Sequence, residues 1–233
     1  WALTVELTVE NAGQFDIVGF TLMCRKLGDM GVARLAHELY SSFDESVKSL
    51  RSRHFKMDTV GDAYITAGWL YPDEAEGGSG EEGASPSDIC QQMLWLGGQL
   101  LMHTNELRTR SGHELHCRIG VGTGYVLAGS MGWLQPRFHL RGPAMQRAET
   151  YERTADIDSV HVSSCFLRAL SAPGQGAGAS ERENSASRVP AGWQVVKSCD
   201  QRDTSMSHLP CGGARGWGGD GVRQASGAAV VKG

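Results

Sequence analysis

Phe15-Asp16-Ile17-Val18-Gly19-Phe20-Thr21 places an acid just before a glycine-containing turn, with a helix-compatible segment following. Such an arrangement can hold a metal ion at the acid and offer backbone N–H groups to phosphate at the start of the helix. An aspartate at a strand end also serves as an ordinary cap or turn residue. Moving outward, Leu35, Leu39, Phe43, Val47 and Leu50 recur at helical spacing and predict an amphipathic helix. Residues 55–67 then read as two short strands broken at Gly61-Asp62, a tight turn with an exposed carboxylate. Two carboxylates on neighbouring turns can hold a pair of Mg²⁺ ions for phosphoryl chemistry. Without further context, two unrelated turn aspartates explain them as well.

Further along, Ser87 and Asp88 are expected to cap a second helix whose apolar stripe is Ile89, Met93, Leu96, Leu100 and Leu107. A strand is expected over 117–121, a turn over 122–124, and strands near 126–128, 137–140 and 160–162, with a helix over 144–153. Sheet and helices alternate, which gives an α/β class with helices packed on a mixed sheet. Residues 73–87 are acidic and rich in Gly and Ser, a solvated loop; beyond residue 170 the composition turns to Gly, Ser and Ala. The expected organisation is one domain over 1–170 and a largely flexible tail over 171–233, with a last strand at 228–233. The net charge of −4 gives no basis for a nucleic-acid or anionic-membrane partner. No apolar run approaches the roughly 20 residues that span a bilayer, and a chain opening on Trp1 reads as part of something longer. The six scattered cysteines suit reduced thiols in a cytoplasmic setting, including that of a cytoplasmic domain of a membrane protein.

Four segments in order, D-I-V-G-F-T, K-M-D-T-V-G-D-A-Y, R-I-G-V-G-T-G-Y-V-L-A-G-S-M-G and P-R-F-H-L-R-G, resemble the class III adenylyl and guanylyl cyclases, over about 15–164. The resemblance implies a ferredoxin-like core working as a head-to-tail homodimer or heterodimer, with nucleoside triphosphate held at the interface. It implies two Mg²⁺ (or Mn²⁺) ions per site on Asp16, Asp62 and the backbone of Ile17. It implies triphosphate contacts from the N–H groups near Phe20 and Thr21 and from Arg118. The ribose 3′-hydroxyl would attack the α-phosphate in line, with pyrophosphate leaving.

The family's purine-reading position in the K-x-x-T-[IV]-G motif is Asp58, whose carboxylate can accept from the N1–H and 2-amino groups of guanine and would meet an acceptor in adenine. The second purine position is His139, which can donate to guanine O6 or accept from the adenine 6-amino group. The expected activity is therefore a guanylate cyclase making cyclic GMP from GTP in signal transduction, with ATP and cyclic AMP as the alternative. Where the family reads G-D-T-V-N-x-A-S-R-M-E, this chain carries Gln146 for the ribose-orienting Asn and Thr150 for the transition-state Arg. Arg147 and Arg153, three residues either side of Thr150, are candidate substitutes for that charge, and surface arginines otherwise. Val231-Lys232-Gly233 resembles the first half of the family's V-K-G-K-G motif, whose phosphate-binding lysine usually falls in the second half, and Lys232 is a substitute candidate for it. The polar stretch 10–14 predicts an irregular entry into Asp16, where the family's strand is apolar. A cyclase-like dimerisation or regulatory module without chemistry is the second hypothesis.

Overall fold

The computed structural model describes residues 4–7, 9–50, 54–69, 85–131, 137–171, 194–197 and 229–232. Its elements run β1 (Thr4–Leu7), β2 (Val9–Ile17), α1 (Phe20–Ser49), β3 (His54–Val60), β4 (Ala63–Trp69), α2 (Pro86–Ser111), β5 (Cys117–Thr123), β6 (Val126–Met131), β7 (Arg137–Arg141), α3 (Pro143–Thr154), β8 (Ser159–Val162), α4 (Ser164–Leu170), β9 (Gln194–Lys197) and β10 (Ala229–Lys232). Seven strands form the main sheet in the order β3-β4-β2-β5-β8-β10-β9. The β5–β8 pair is parallel and the other described pairs are antiparallel, so the sheet is mixed. A smaller sheet, β1-β6-β7, is hydrogen-bonded separately from it.

Successive strand residues face opposite sides of a sheet, and that period of two sorts the sequence into two layers. On one face Phe15, Ile17, Ile119 and Val121 pack with Leu35, Leu39, Phe43 and Val47 of α1 and with Met93, Leu96 and Leu100 of α2. The expected apolar stripes of both helices are thus the faces they bury. On the other face small residues dominate: Ala12 and Ala67 from the sheet, Val126 and Ala128 of β6, and Ala144 and Ala148 of α3.

Gly120 and Gly122 explain why small residues suffice there. A Cβ at Gly120 would lie 2.1 Å from the Ala148 carbonyl oxygen, and one at Gly122 would lie 2.2 Å from that of Ala144. The backbone of α3 therefore rests directly on β5, and only glycine allows that approach.

Several expectations are corrected. The polar stretch 10–14 belongs to a continuous strand, β2, whose register shifts against β4 only between Val9 and Asn11. Its buried polar side chain finds partners inside the fold: Asn11 accepts from the Thr123 hydroxyl at 3.3 Å, and its amide nitrogen lies 3.4 Å from the Cys90 sulfur. The N-cap of α2 is Ser85, two residues earlier than expected. Pro86 sits in the first turn, where no N–H is needed, and Ser85 and Asp88 form a reciprocal capping box. Strand β5 continues to Thr123, so the turn lies at 124–125. Helix α1 breaks its helical geometry at Gly28. Cys165 is disulfide-bonded, which departs from the expectation of six reduced thiols, whereas Cys24, Cys90 and Cys117 are not disulfide-bonded.

Two strands from beyond residue 170, β9 and β10, complete one edge of the main sheet. The rest of the 171–233 tail, apart from Ser171, lies outside the described residues, as does most of the acidic loop (70–84).

Candidate active site

Asp16 is the second-last residue of the interior strand β2, directly opposite Arg118 of β5. Its neighbour Phe15 faces the helical core and pairs in register with Tyr64 of β4. Tyr64 lies two residues past the β3–β4 turn, so that turn, with Asp62, is brought to the Asp16 end of β2. Tyr40 of α1 fixes the turn by donating its hydroxyl to the Asp62 backbone carbonyl at 2.9 Å. Burial, reinforced by the Asp62 and Asp16 carboxylates, pushes the Tyr40 phenol up and keeps it a donor.

The two carboxylates press on each other. Burial, followed by the charge of Asp62, pushes the Asp16 carboxyl above its ordinary value, against the opposing pull of Arg118. Crowded anions of this kind are what a hard divalent cation relieves, and oxygen donors are the ligands Mg²⁺ and Mn²⁺ prefer. The described residues offer no set of three or more His, Cys, Asp or Glu side chains that could hold a metal. A cation here would complete its shell with backbone carbonyl, water or substrate oxygens, and the residues present fit that requirement.

Immediately after Ile17 the chain turns through Gly19, which has φ 71° and caps α1 without a side-chain hydrogen bond. A left-handed residue there turns the chain from β2 straight into α1, and glycine adopts it without strain. Leu22 and Met23 donate to the Gly19 carbonyl. Phe20 and Thr21, first in the helix, have no intrahelical acceptor for their N–H groups, and the helix dipole favours an anion there.

Arg118 does not extend into solvent. Its Nη2 lies 2.8 Å from Glu152 Oε1 of α3 and donates to Asp16 Oδ2 at 3.4 Å. The Glu152 contact is an ion pair by distance without hydrogen-bond alignment. Glu152 is only 3% exposed, and burial pushes its carboxyl up while Arg118 opposes the rise. Neither Glu152 nor Tyr40 was singled out from the sequence. Glu152 was visible only as the last letter of the helical segment compared with the family, and Tyr40 as a residue on the shoulder of an apolar stripe.

The remaining candidates lie elsewhere. Gln146 and Thr150 are exposed on α3, one helical turn apart, with the Thr150 hydroxyl donating to the Gln146 carbonyl at 2.8 Å. Arg147 is not on that exposed face: it is 5% exposed and its Nη1 donates to the Thr123 carbonyl at 2.7 Å. The expectation that Arg147 shares a face with Thr150 is therefore corrected, because Arg147 points into the sheet beneath α3. Arg153 is exposed and pairs with Glu149 at 2.5 Å.

Asp58 stands opposite Ile65, which in turn stands opposite Gln14, so it belongs to the sheet face that carries Asp16 and α3. Its Oδ1 accepts from the Thr59 N–H at 2.7 Å. His139 lies on β7, an element that touches β3. Lys232 ends β10 opposite Gln194 of β9.

The profile of the adenylate and guanylate cyclase catalytic domain matches residues 14–192. The chain is similar to the receptor-type guanylate cyclase gcy-23 of Caenorhabditis elegans, 33% identical over 148 residues, covering 64% of this chain and 13% of that protein. It is also similar to guanylate cyclase 2G of Rattus norvegicus, 34% identical over 157 residues, 66% of this chain and 13% of that protein. The chain thus spans about an eighth of these relatives' length. Its fold resembles the guanylate cyclase domain of RhGC from Catenaria anguillulae solved in complex with GTP. That match has a TM-score of 0.64 at 16% identity, over 97% of this chain and 96% of that one. It also resembles the adenylyl cyclase CyaB from P. aeruginosa, with a TM-score of 0.60 at 13% identity, over 98% and 94% of the two chains.

Proposed function

The chain belongs to the family of adenylate and guanylate cyclase catalytic domains, and on that premise we propose that it converts GTP to cyclic GMP and pyrophosphate. The observation that carries the proposal is the meeting of Asp16 and Asp62 beside the N-terminus of α1, on a sheet end that also holds Arg118. Asp16, Asp62 and the Ile17 carbonyl would hold two Mg²⁺ or Mn²⁺ ions, which when bound supply Lewis-acid activation of the ribose 3′-hydroxyl and charge neutralisation on the phosphates. The N–H groups of Phe20 and Thr21 bind the triphosphate. Arg118 keeps positive charge beside it. Asp58 accepts from the guanine edge, and His139 donates to O6.

Gln146 and Thr150 lie on the exposed side of α3, where they serve a site shared with a second cyclase domain, with Lys232 as the phosphate-side lysine. The two sequence relatives named above are guanylate cyclases, which supports GTP over ATP. As the catalytic part of a larger signalling protein, the domain would sit on the cytoplasmic side. No helix among the described residues is long and apolar enough to cross a membrane.

A second reading, a cyclase-like regulatory module, is favoured by one observation. Thr150 carries no charge, and Arg147 is withdrawn to the Thr123 carbonyl. A cation meeting transition-state charge is often the largest catalytic contribution, and this helix offers none at that position.

The test is paired substitution. Asp16→Asn and Asp62→Asn should each abolish cyclic-nucleotide formation while the metal-free melting temperature is kept or raised, since each removes a crowding anion. Full activity in either variant would remove the two-cation reading.

A further inference from the structure

Glu152 is a buried carboxylate on α3 whose charged partner, Arg118, also faces Asp16. The placement follows from the alternation along β5. Cys117, Ile119 and Val121 face the helical core, so Arg118, Gly120 and Gly122 face α3. With no side chain at Gly120, the Glu152 backbone nitrogen lies 2.2 Å from where a Cβ would be. That close approach sets the carboxylate against the guanidinium, one strand away from Asp16.

An arginine opposite Asp16 in register would ordinarily take that carboxylate as its partner. Here Arg118 Nη2 keeps only a long hydrogen bond to Asp16 Oδ2, at 3.4 Å, and lies closer to Glu152, at 2.8 Å, as an ion pair without hydrogen-bond alignment. We propose that Glu152 is a positioning residue that draws Arg118 back from Asp16, so that their hydrogen bond stays long and the Asp16 carboxylate stays available to a divalent cation. The proposal rests on Asp16 and Asp62 being the cation ligands. Arg118 stays close enough to present charge to a bound triphosphate, while Glu152 absorbs the pairing that would otherwise quench Asp16. Residues that orient a metal-binding group without touching the metal commonly change affinity by about 10- to 100-fold when replaced.

The experiment is a double-mutant cycle read by Mn²⁺ binding to the full chain, using paramagnetic resonance of free Mn²⁺ without nucleotide. Four proteins are compared: wild type, Glu152→Gln, Arg118→Gln and the double variant, with Asp16→Asn as control. Glu152→Gln should weaken Mn²⁺ binding about tenfold, because the released guanidinium tightens its long contact with Asp16. In the Arg118→Gln background the same change should have little effect, since no guanidinium remains to restrain. Equal weakening in both backgrounds, or none in wild type, overturns the proposal, because Glu152 would then act only as a distant charge or not at all. Should Glu152→Gln fail to fold, Glu152→Asp takes its place. It keeps the charge but shortens the reach, so it should show the same loss and the same dependence on Arg118. Mn²⁺ binding that is unaffected by Asp16→Asn removes the cation-ligand reading itself. Asp16-dependent binding with additive effects removes only the role of Glu152.

Discussion

His54 shows how much one residue can tie the stability of this domain to pH. It begins β3 with a ring only 4% exposed, and neither ring nitrogen has an aligned hydrogen-bond partner. Gln92 and the Ile89 backbone lie against it, but burial dominates and lowers its pKa to about 4. The unfolded chain, with an ordinary histidine, takes up its proton near pH 6.5. Stability from a neutral buried His54 is therefore fully present above that value and declines as pH falls toward 4. The slope is about 1.4 kcal/mol per pH unit, so the loss between pH 6.5 and 4 is of the order of 3 kcal/mol. Melting curves from pH 7.5 to 4.5 should show wild type falling more steeply than His54→Leu. Parallel curves would mean that the folded protein accommodates the charged ring. Asp16 and Asp62 were legible in the sequence at this scale, because each sits on a glycine turn with a local signature. Tyr40 and Glu152 were not, since nothing near them in the chain announces a partner 22 or 34 residues away.

At the scale of elements, the contact of α3 with β5 joins the fold to the site. Gly120→Ala would place a methyl group 2.1 Å from the Ala148 carbonyl oxygen and 2.2 Å from the Glu152 nitrogen. Both atoms are backbone, so the helix itself must move. Such overpacking costs about 1–3 kcal/mol or more, which lowers the melting temperature by about 2–4 °C for each kcal/mol in a chain of this size. Because Glu152 moves with the helix, cyclase activity should fall further than stability alone requires, even at temperatures where the variant is fully folded. Unchanged activity in folded Gly120→Ala would mean that the height of α3 above the sheet is not used by the site. The long apolar stripes of α1 and α2 and the paired strands β3 and β4 were readable from periodicity. The regularity of β2 was not, because Asn11 is polar in sequence but finds Thr123 and Cys90 in the fold. Neither β1 nor the separation of β6 and β7 into a second sheet leaves a local mark, since pairing of Thr4 with Gly129 is a property of the closed chain.

For the whole molecule, the chain gathers the carboxylates, Arg118 and the α1 N-terminus at one end of the main sheet. Gln146 and Thr150 face outward on α3. That division suits a site completed between two cyclase domains, and it makes turnover by the isolated chain the decisive property. The most direct measurement is cyclic-nucleotide formation by the purified chain with Mn²⁺, supplied with GTP and ATP at equal concentrations. The account predicts cyclic GMP with matching pyrophosphate release, and less cyclic AMP. Bound nucleotide with no cyclic product, from the chain alone and from the chain mixed with a second cyclase domain, would contradict it.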